Sequence, residues 1–230
     1  MSFESLLVIL LLLLLAAGAL GLWTTLRQPS GSPALRALGQ GHFAAALEAA
    51  RTDPRAGRDE LYAGAVAAKH LLDLDRARSL LDRILARDPG DGEAWLERGL
   101  VAAYAGDLAA AETAFAKVEP LRSDLLESLT LHRAWLALRR GDSAAAHRLF
   151  NEVEAPLENK LRSDLGGGEP LFAEWFLQAA TLWRAFGEEE RAGWARREGQ
   201  ASAPESLLAG AVDPGAETRH PGAETRPPLQ

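Results

Sequence analysis

A glycine-aspartate step followed by an alanine and a phenylalanine at fixed offsets occurs twice, thirty-odd residues apart. It reads Gly106-Asp107 with Ala111 and Phe115, then Gly141-Asp142 with Ala146 and Phe150. A period of that length belongs to helix-turn-helix units that cannot bury their apolar faces alone and must stack on copies of themselves. The glycine can take the left-handed conformation that ends one helix, and the aspartate accepts a backbone N–H from the first turn of the next. Composition points the same way. Alanine and leucine dominate the 47% hydrophobic content while aromatic and β-branched residues are sparse, so helices and no strands are expected.

The repeat register extends beyond these two turns. An alanine on the second helix of each unit falls at Ala46, Ala77, Ala111, Ala146 and Ala192, and a small residue on the first helix at Ala65, Gly99, Ala134 and Ala180. Facing each other, they let two helix backbones approach closely. Leu61, Trp95 and Phe176 on first helices, with Leu81, Phe115 and Phe150 on second helices, fill the space around them as core. Gly187 supplies a further helix stop, and Asp88-Pro89 closes the second unit. Glu188 to Glu190 open a last helix that Arg196 and Arg197 close, matching the helix dipole at both ends.

These spaced residues resemble the tetratricopeptide repeat family, over roughly Ala34 to Arg197 and most strongly from Arg58 to Val153. Arg98 and Ala102 depart from the family pattern, where leucine and tyrosine are usual, and the first unit lacks most of its first helix, as a degenerate cap would. An insertion at residues 154–170 contains Gly166-Gly167-Gly168. There the stack is expected to break, bend or begin a differently oriented pair. The expected fold is all-α, an N-terminal transmembrane helix followed by an α-solenoid of about four to five helical pairs.

The transmembrane helix rests on the stretch from Ser5 to Leu26, which carries no charge. At about 1.5 Å per residue, roughly 20 residues match a hydrocarbon core of about 30 Å. A secretory signal is the alternative, but no lysine or arginine precedes the run. Residues 1–27 are therefore read as an anchor and 28–33 as a linker. Residues 34–200 form the repeat domain and 201–230 a disordered tail. In that tail Pro214–Arg219 is duplicated as Pro221–Arg226. Arg27 and Arg36 follow the span and Glu4 precedes it, which places the repeats on the cytoplasmic side of an inner or plasma membrane. A periplasmic or lumenal orientation is the alternative.

Chemistry is harder to find. The formal charge of -7 disfavours nucleic acid, since neutralising phosphates needs a concentrated basic face. With no cysteine, disulfides, thiolate metal sites and cysteine nucleophiles are excluded. His42, His70, His132, His147 and His220 show no metal-ligand spacing and read as surface residues. The triple glycine has no preceding strand and no following Gly-Lys-Ser/Thr, so it reads as a hinge rather than a phosphate loop. No catalytic residue, cofactor, metal or small-molecule substrate is expected.

The resemblance instead implies a groove lined by first helices. The matching positions are Tyr62, Val66, Lys69 and His70, then Leu96, Leu100 and Tyr104, then Leu131, Trp135 and Arg139. Tyr104 and Trp135 would anchor an extended or helical peptide while Lys69 and Arg139 pair its acidic groups. The competing reading packs Trp135 and its neighbours against the next pair of helices. Family resemblance thus implies a bacterial membrane-anchored scaffold recruiting a protein or peptide partner, in envelope assembly or quality control. A structural subunit of a stable membrane complex is the alternative. An enzyme would come forward only if a deep pocket gathered several ionisable side chains.

Overall fold

The computed structural model describes residues 32–51, 56–118, 121–163 and 170–212, and among them every regular element is helical. The longer helices are α1 (Pro33–Gly39), α2 (Phe43–Arg51), α3 (Arg58–His70), α4 (Leu74–Arg87) and α5 (Gly92–Tyr104). They continue with α6 (Leu108–Val118), α7 (Leu126–Arg139), α8 (Ser143–Arg162), α9 (Ala173–Ala185) and α10 (Glu189–Ser202). A single turn, α11 (Leu208–Ala211), and two 3-10 turns at Ser123–Leu125 and Pro170–Phe172 complete the set. Residues 5–26 and 213–230, which carry the anchor expectation and the tail duplication, lie outside the described residues. Within the described residues no helix is long and apolar enough to cross a membrane.

One local device makes the pairs. At five turns the backbone N–H of the residue opening the next helix donates to a carbonyl five residues back. The bonds are His42 to Ala37, Asp73 to Ala68, Asp107 to Ala102, Asp142 to Ala137 and Glu188 to Trp183, all between 2.8 and 3.0 Å. The residue before each has positive φ, which is glycine at Gly106 (83°) and Gly141 (80°) but Leu72 (57°) in the second pair. Asp107 and Asp142 then cap the following helices, accepting from Ala110 N at 3.0 Å and Ala145 N at 2.9 Å. Glu188, in the same position, makes no side-chain cap bond, and α10 runs past Arg197 to Ser202, so its basic residues sit mid-helix.

Each hairpin closes on small residues. Ala46, Ala77, Ala111, Ala146 and Ala192 are all fully buried, as are Ala65 and Ala134. Gly99, midway along α5, lies under the Phe115 ring of α6, so the two helices run back along one another about the Gly106 turn. The odd-numbered helices also touch in succession: α1 with α3, α3 with α5, α5 with α7 and α7 with α9.

The fifth pair departs from simple succession. The insertion first extends α8 to 20 residues, against 14 for α4 and 11 for α6. The chain then returns at Pro170–Phe172, where it packs on α1. Ala173 and Ala203 join the same apolar cluster as Leu38, Phe43 and Val66, so the last pair meets the first. The expected disordered tail also differs. Leu208 and Val212 are buried in the main core with Ala209 and Ala211 packed against it, and Ala203 joins the cluster of the first pair. Burial of these apolar side chains holds the segment on a surface that is already built.

The close approach at Gly99 has a definite sign. A Cβ there would stand 2.3 Å from Phe115 Cε1, whose ring is fully buried and cannot retreat. Gly99→Ala should therefore cost about 1–3 kcal/mol by overpacking, outweighing the roughly 1 kcal/mol that alanine gains in helix propensity. Gly193→Ala, which meets nothing nearer than Arg197 at 3.5 Å, should be neutral or stabilising. Urea unfolding of both variants checks the pair, and a stabilised Gly99→Ala chain would contradict the packing.

Candidate functional site

The first helices curve around a cavity of about 560 Å³, lined among others by Leu38, Tyr62, Val66, Leu96, Leu100 and Trp175. Its polar lining is Lys69 and His70 from α3, Glu93 and Glu97 from α5, Ser128 and His132 from α7, and Glu174 from α9. The start of the fifth pair and the first helix both contribute to its walls, through Phe172, Glu174 and Trp175 on one side and Leu35 and Leu38 on the other.

A buried ionic cluster lies at its centre. Lys69 Nζ sits 2.7 Å from Glu97 Oε2 and 2.5 Å from Glu174 Oε2, with the lysine side chain 1% exposed. Glu174 is fully satisfied, because its Oε1 also accepts from Tyr104 OH at 2.7 Å and Gln178 Nε2 at 3.3 Å. Glu97 is not. Its Oε2 is within ion-pair distance of Lys69 but misaligned for a hydrogen bond, and it makes no other. With Gln178 Nε2 committed to Glu174, His132 Nδ1 donates to Gln178 Oε1 at 2.7 Å. The assignment of hydrogens follows from this network.

Electrostatics follow from the geometry. Burial alone would discharge Lys69, but Glu174 and Glu97 overcome it and hold the ammonium above its ordinary range. Against the cost of burial, Lys69 and then the neighbouring histidines hold Glu174 down at about 2. Glu97 is pushed up, first by burial and then by Glu174 beside it. Two carboxylates share one lysine, and the one with fewer hydrogen bonds carries the excess. Burial, helped by Lys69, lowers His70 to about 3, and burial lowers His132 as well.

Of the ten groove positions, Tyr62, Val66, Lys69, His70, Leu96 and Leu100 line the cavity. The other four do not. Leu131 and Trp135 are both fully buried. Tyr104 turns its hydroxyl inward to Glu174, and its ring lies 5.0 Å from that of Trp135. Arg139 donates to Ala103 O at 2.9 Å and lies over the Trp135 ring. With residues 203–212 in place, neither expected anchor is exposed. Nor is Lys69 a rim charge.

The surface reading of the histidines fails at two positions. His42 and His147 are exposed, but His70 and His132 are buried, and His220 lies outside the described residues. Among the described residues no three histidine or carboxylate side chains are placed to hold a metal ion. Glu97, His132, Glu174 and Gln178 were missed in the sequence. A carboxylate inside the alanine-rich α5 was the one available signal.

Beside the cavity, the C-terminal segment covers the far ends of the same helices. His70 O, left without an acceptor role inside α3, takes a bond from Leu207 N at 2.8 Å, and His70 Nδ1 meets Ser206 Oγ at 2.9 Å. The buried Trp135 Nε1 donates to Val212 O at 3.2 Å. Buried polar groups of this kind need partners, and the segment supplies them.

No family model matches this chain, and neither the curated proteins nor the solved structures give a match.

Stability should fall with acid. His70 titrates near 6.5 when unfolded and near 3 when folded, so its contribution is complete above pH 6.5 and is lost as pH drops toward 3. His132 acts in the same direction, and Glu174 adds a loss from about 4.5 toward 2. Glu97, raised on folding, acts oppositely and stabilises at low pH. Between pH 7 and pH 5 the His70 share is about 2 kcal/mol. A His70→Gln chain should lose about that much less than the parent in urea unfolding at the two pH values. Equal losses would remove His70 from the account.

Proposed function

We propose that this is a membrane-tethered helical-repeat binding module of tetratricopeptide-like solenoid type, whose inner face takes a short segment of a protein partner. The observation that carries the reading is the seating of residues 203–212 on that face. A stretch of the chain's own backbone already satisfies His70 O and Trp135 Nε1 there, and it buries Leu208 and Val212. A partner segment with the same spacing of two apolar side chains could replace it at little cost. The charge-free run from Ser5 to Leu26 supports the tether, and a cytoplasmic or periplasmic placement of the module is compatible with the contacts described.

The cavity favours a second reading, because Lys69, Glu97, Glu174 and His132 line it together as they would an active site. Their states argue for binding instead. A nucleophilic lysine must be neutral, whereas two carboxylates keep Lys69 charged, and Glu174 is too strongly ionised to take up a proton near neutrality.

One experiment tests tether and face together. Membranes bearing a chain ended at Ser202 are washed at alkaline pH, which retains integral proteins, and then offered a fluorescent peptide of residues 203–212. The chain should stay in the membrane and bind the peptide with Kd of roughly 40 μM to 6 mM, from two apolar side chains at about 1.5–3 kcal/mol each. The intact chain, its face covered, should bind at least tenfold more weakly. Loss of the chain in the wash contradicts the tether. A folded, retained chain that ignores the peptide contradicts the docking face. If the shortened chain does not fold, full-length Leu208→Glu, which loosens the segment, takes its place.

A further inference from the structure

The cavity and the C-terminal segment are separate features of one inner face, and the cavity has a chemistry of its own. Three elements bring charge to it, and the arrangement is one positive group short. Lys69 Nζ is already bracketed by two carboxylates at 2.7 and 2.5 Å, so no anion can be offered an unengaged ammonium. Glu174 has three donors on its two oxygens. Glu97, 9% exposed and lining the cavity, has Lys69 at 2.7 Å from its Oε2, off hydrogen-bonding alignment, and shares that one cation with Glu174. Glu93, which also lines it, is engaged outward by Arg58 and Arg122. Two buried carboxylates that share a single counter-charge are under-compensated, and a cation brought into the cavity would supply the charge that is missing.

Walls and floor differ in character. Tyr62, Leu96, Leu100, Phe172 and Trp175 surround the space with aromatic and aliphatic carbon. The volume, about 560 Å³, lies in the range of small-molecule pockets, in which a few polar groups fix the orientation of an apolar body. Both nearby histidines have Nδ1 engaged, by Ser206 and by Gln178.

We propose that this cavity binds an organic cation, a protonated amine carried on an aromatic or aliphatic group, with Glu97 as its counter-ion. The inference rests on the binding-module reading and deepens it. The recognising chemistry is the same for a free amine and for one borne on a lysine side chain or chain terminus of the partner. Arrival of the cation restores charge balance among Lys69, Glu97 and Glu174, while its apolar body displaces water from the walls.

The test uses the full chain in a neutral detergent and three probes of matched shape, 2-phenylethylammonium, 2-phenylethanol and phenylacetate, followed by calorimetry. The cation should bind at least tenfold more tightly than the alcohol, and phenylacetate should not bind. Glu97→Gln should remove the preference for the cation, leaving ammonium and alcohol within about twofold of each other. Equal binding of cation and alcohol by the parent, a preference for phenylacetate, or no binding of any probe would overturn the proposal. Circular dichroism verifies that Glu97→Gln is folded, and if it is not, the comparison of probes on the parent decides alone. The peptide reads the contacts of His70 and Trp135 with residues 206–212 and the amine reads Glu97, so failure of one is distinguishable from failure of the other.

Discussion

The ion pair between Lys69 and Glu174 joins positions more than a hundred residues apart in a place where neither charge can reach water. Removing both charges from solvent is costly, and their attraction repays that cost only with good geometry and further hydrogen bonds. Tyr104 and Gln178 provide those bonds to Glu174. The pair therefore fixes where the start of α9 lies, across α3 and α5 rather than beside α7 alone. Closure of the last hairpin on the first, the enclosed cavity, and the surface that receives the C-terminal segment all depend on that placement.

Closure divides the inner face into two regions. The N-terminal halves of α5 and α7 look into the cavity, while His70, Trp135 and their neighbours lie under residues 203–212. His70 belongs to both. Its ring lines the cavity and stacks on Phe43 at 4.2 Å, and its Nδ1 and carbonyl oxygen hold Ser206 and Leu207. Covering this face with a segment of the same chain keeps apolar surface and unsatisfied backbone out of water.

The hairpins were legible because their causes are local. A glycine able to take positive φ, an aspartate one residue later and an alanine four further on act within ten residues of each other, and Gly106, Gly141 and their neighbours fold as that chemistry demands. Leu72 shows the limit, since it adopts the same conformation without glycine. The inner face was legible in part. Tyr62, Val66, Leu96 and Leu100 line the cavity because they share a helix face, a property of spacing alone. Trp135 and Lys69 were misplaced for one common reason: their surroundings come from α9 and residues 203–212, both reached only after the glycine-rich insertion. No periodicity reports a contact across such a break. The same omission turned His132 and Glu174 from a buried pair of network members into unremarkable polar residues.

The placement of α9 is tested most directly by a double-mutant cycle on Lys69→Met and Glu174→Gln, followed by urea unfolding. Each single change strands a charge or its former partners in the interior, so each should cost several kcal/mol, and the double variant should recover about 2 kcal/mol or more of their sum. Additive losses, with no coupling between the two positions, would mean that the side chains do not meet and that α9 does not cross the inner face.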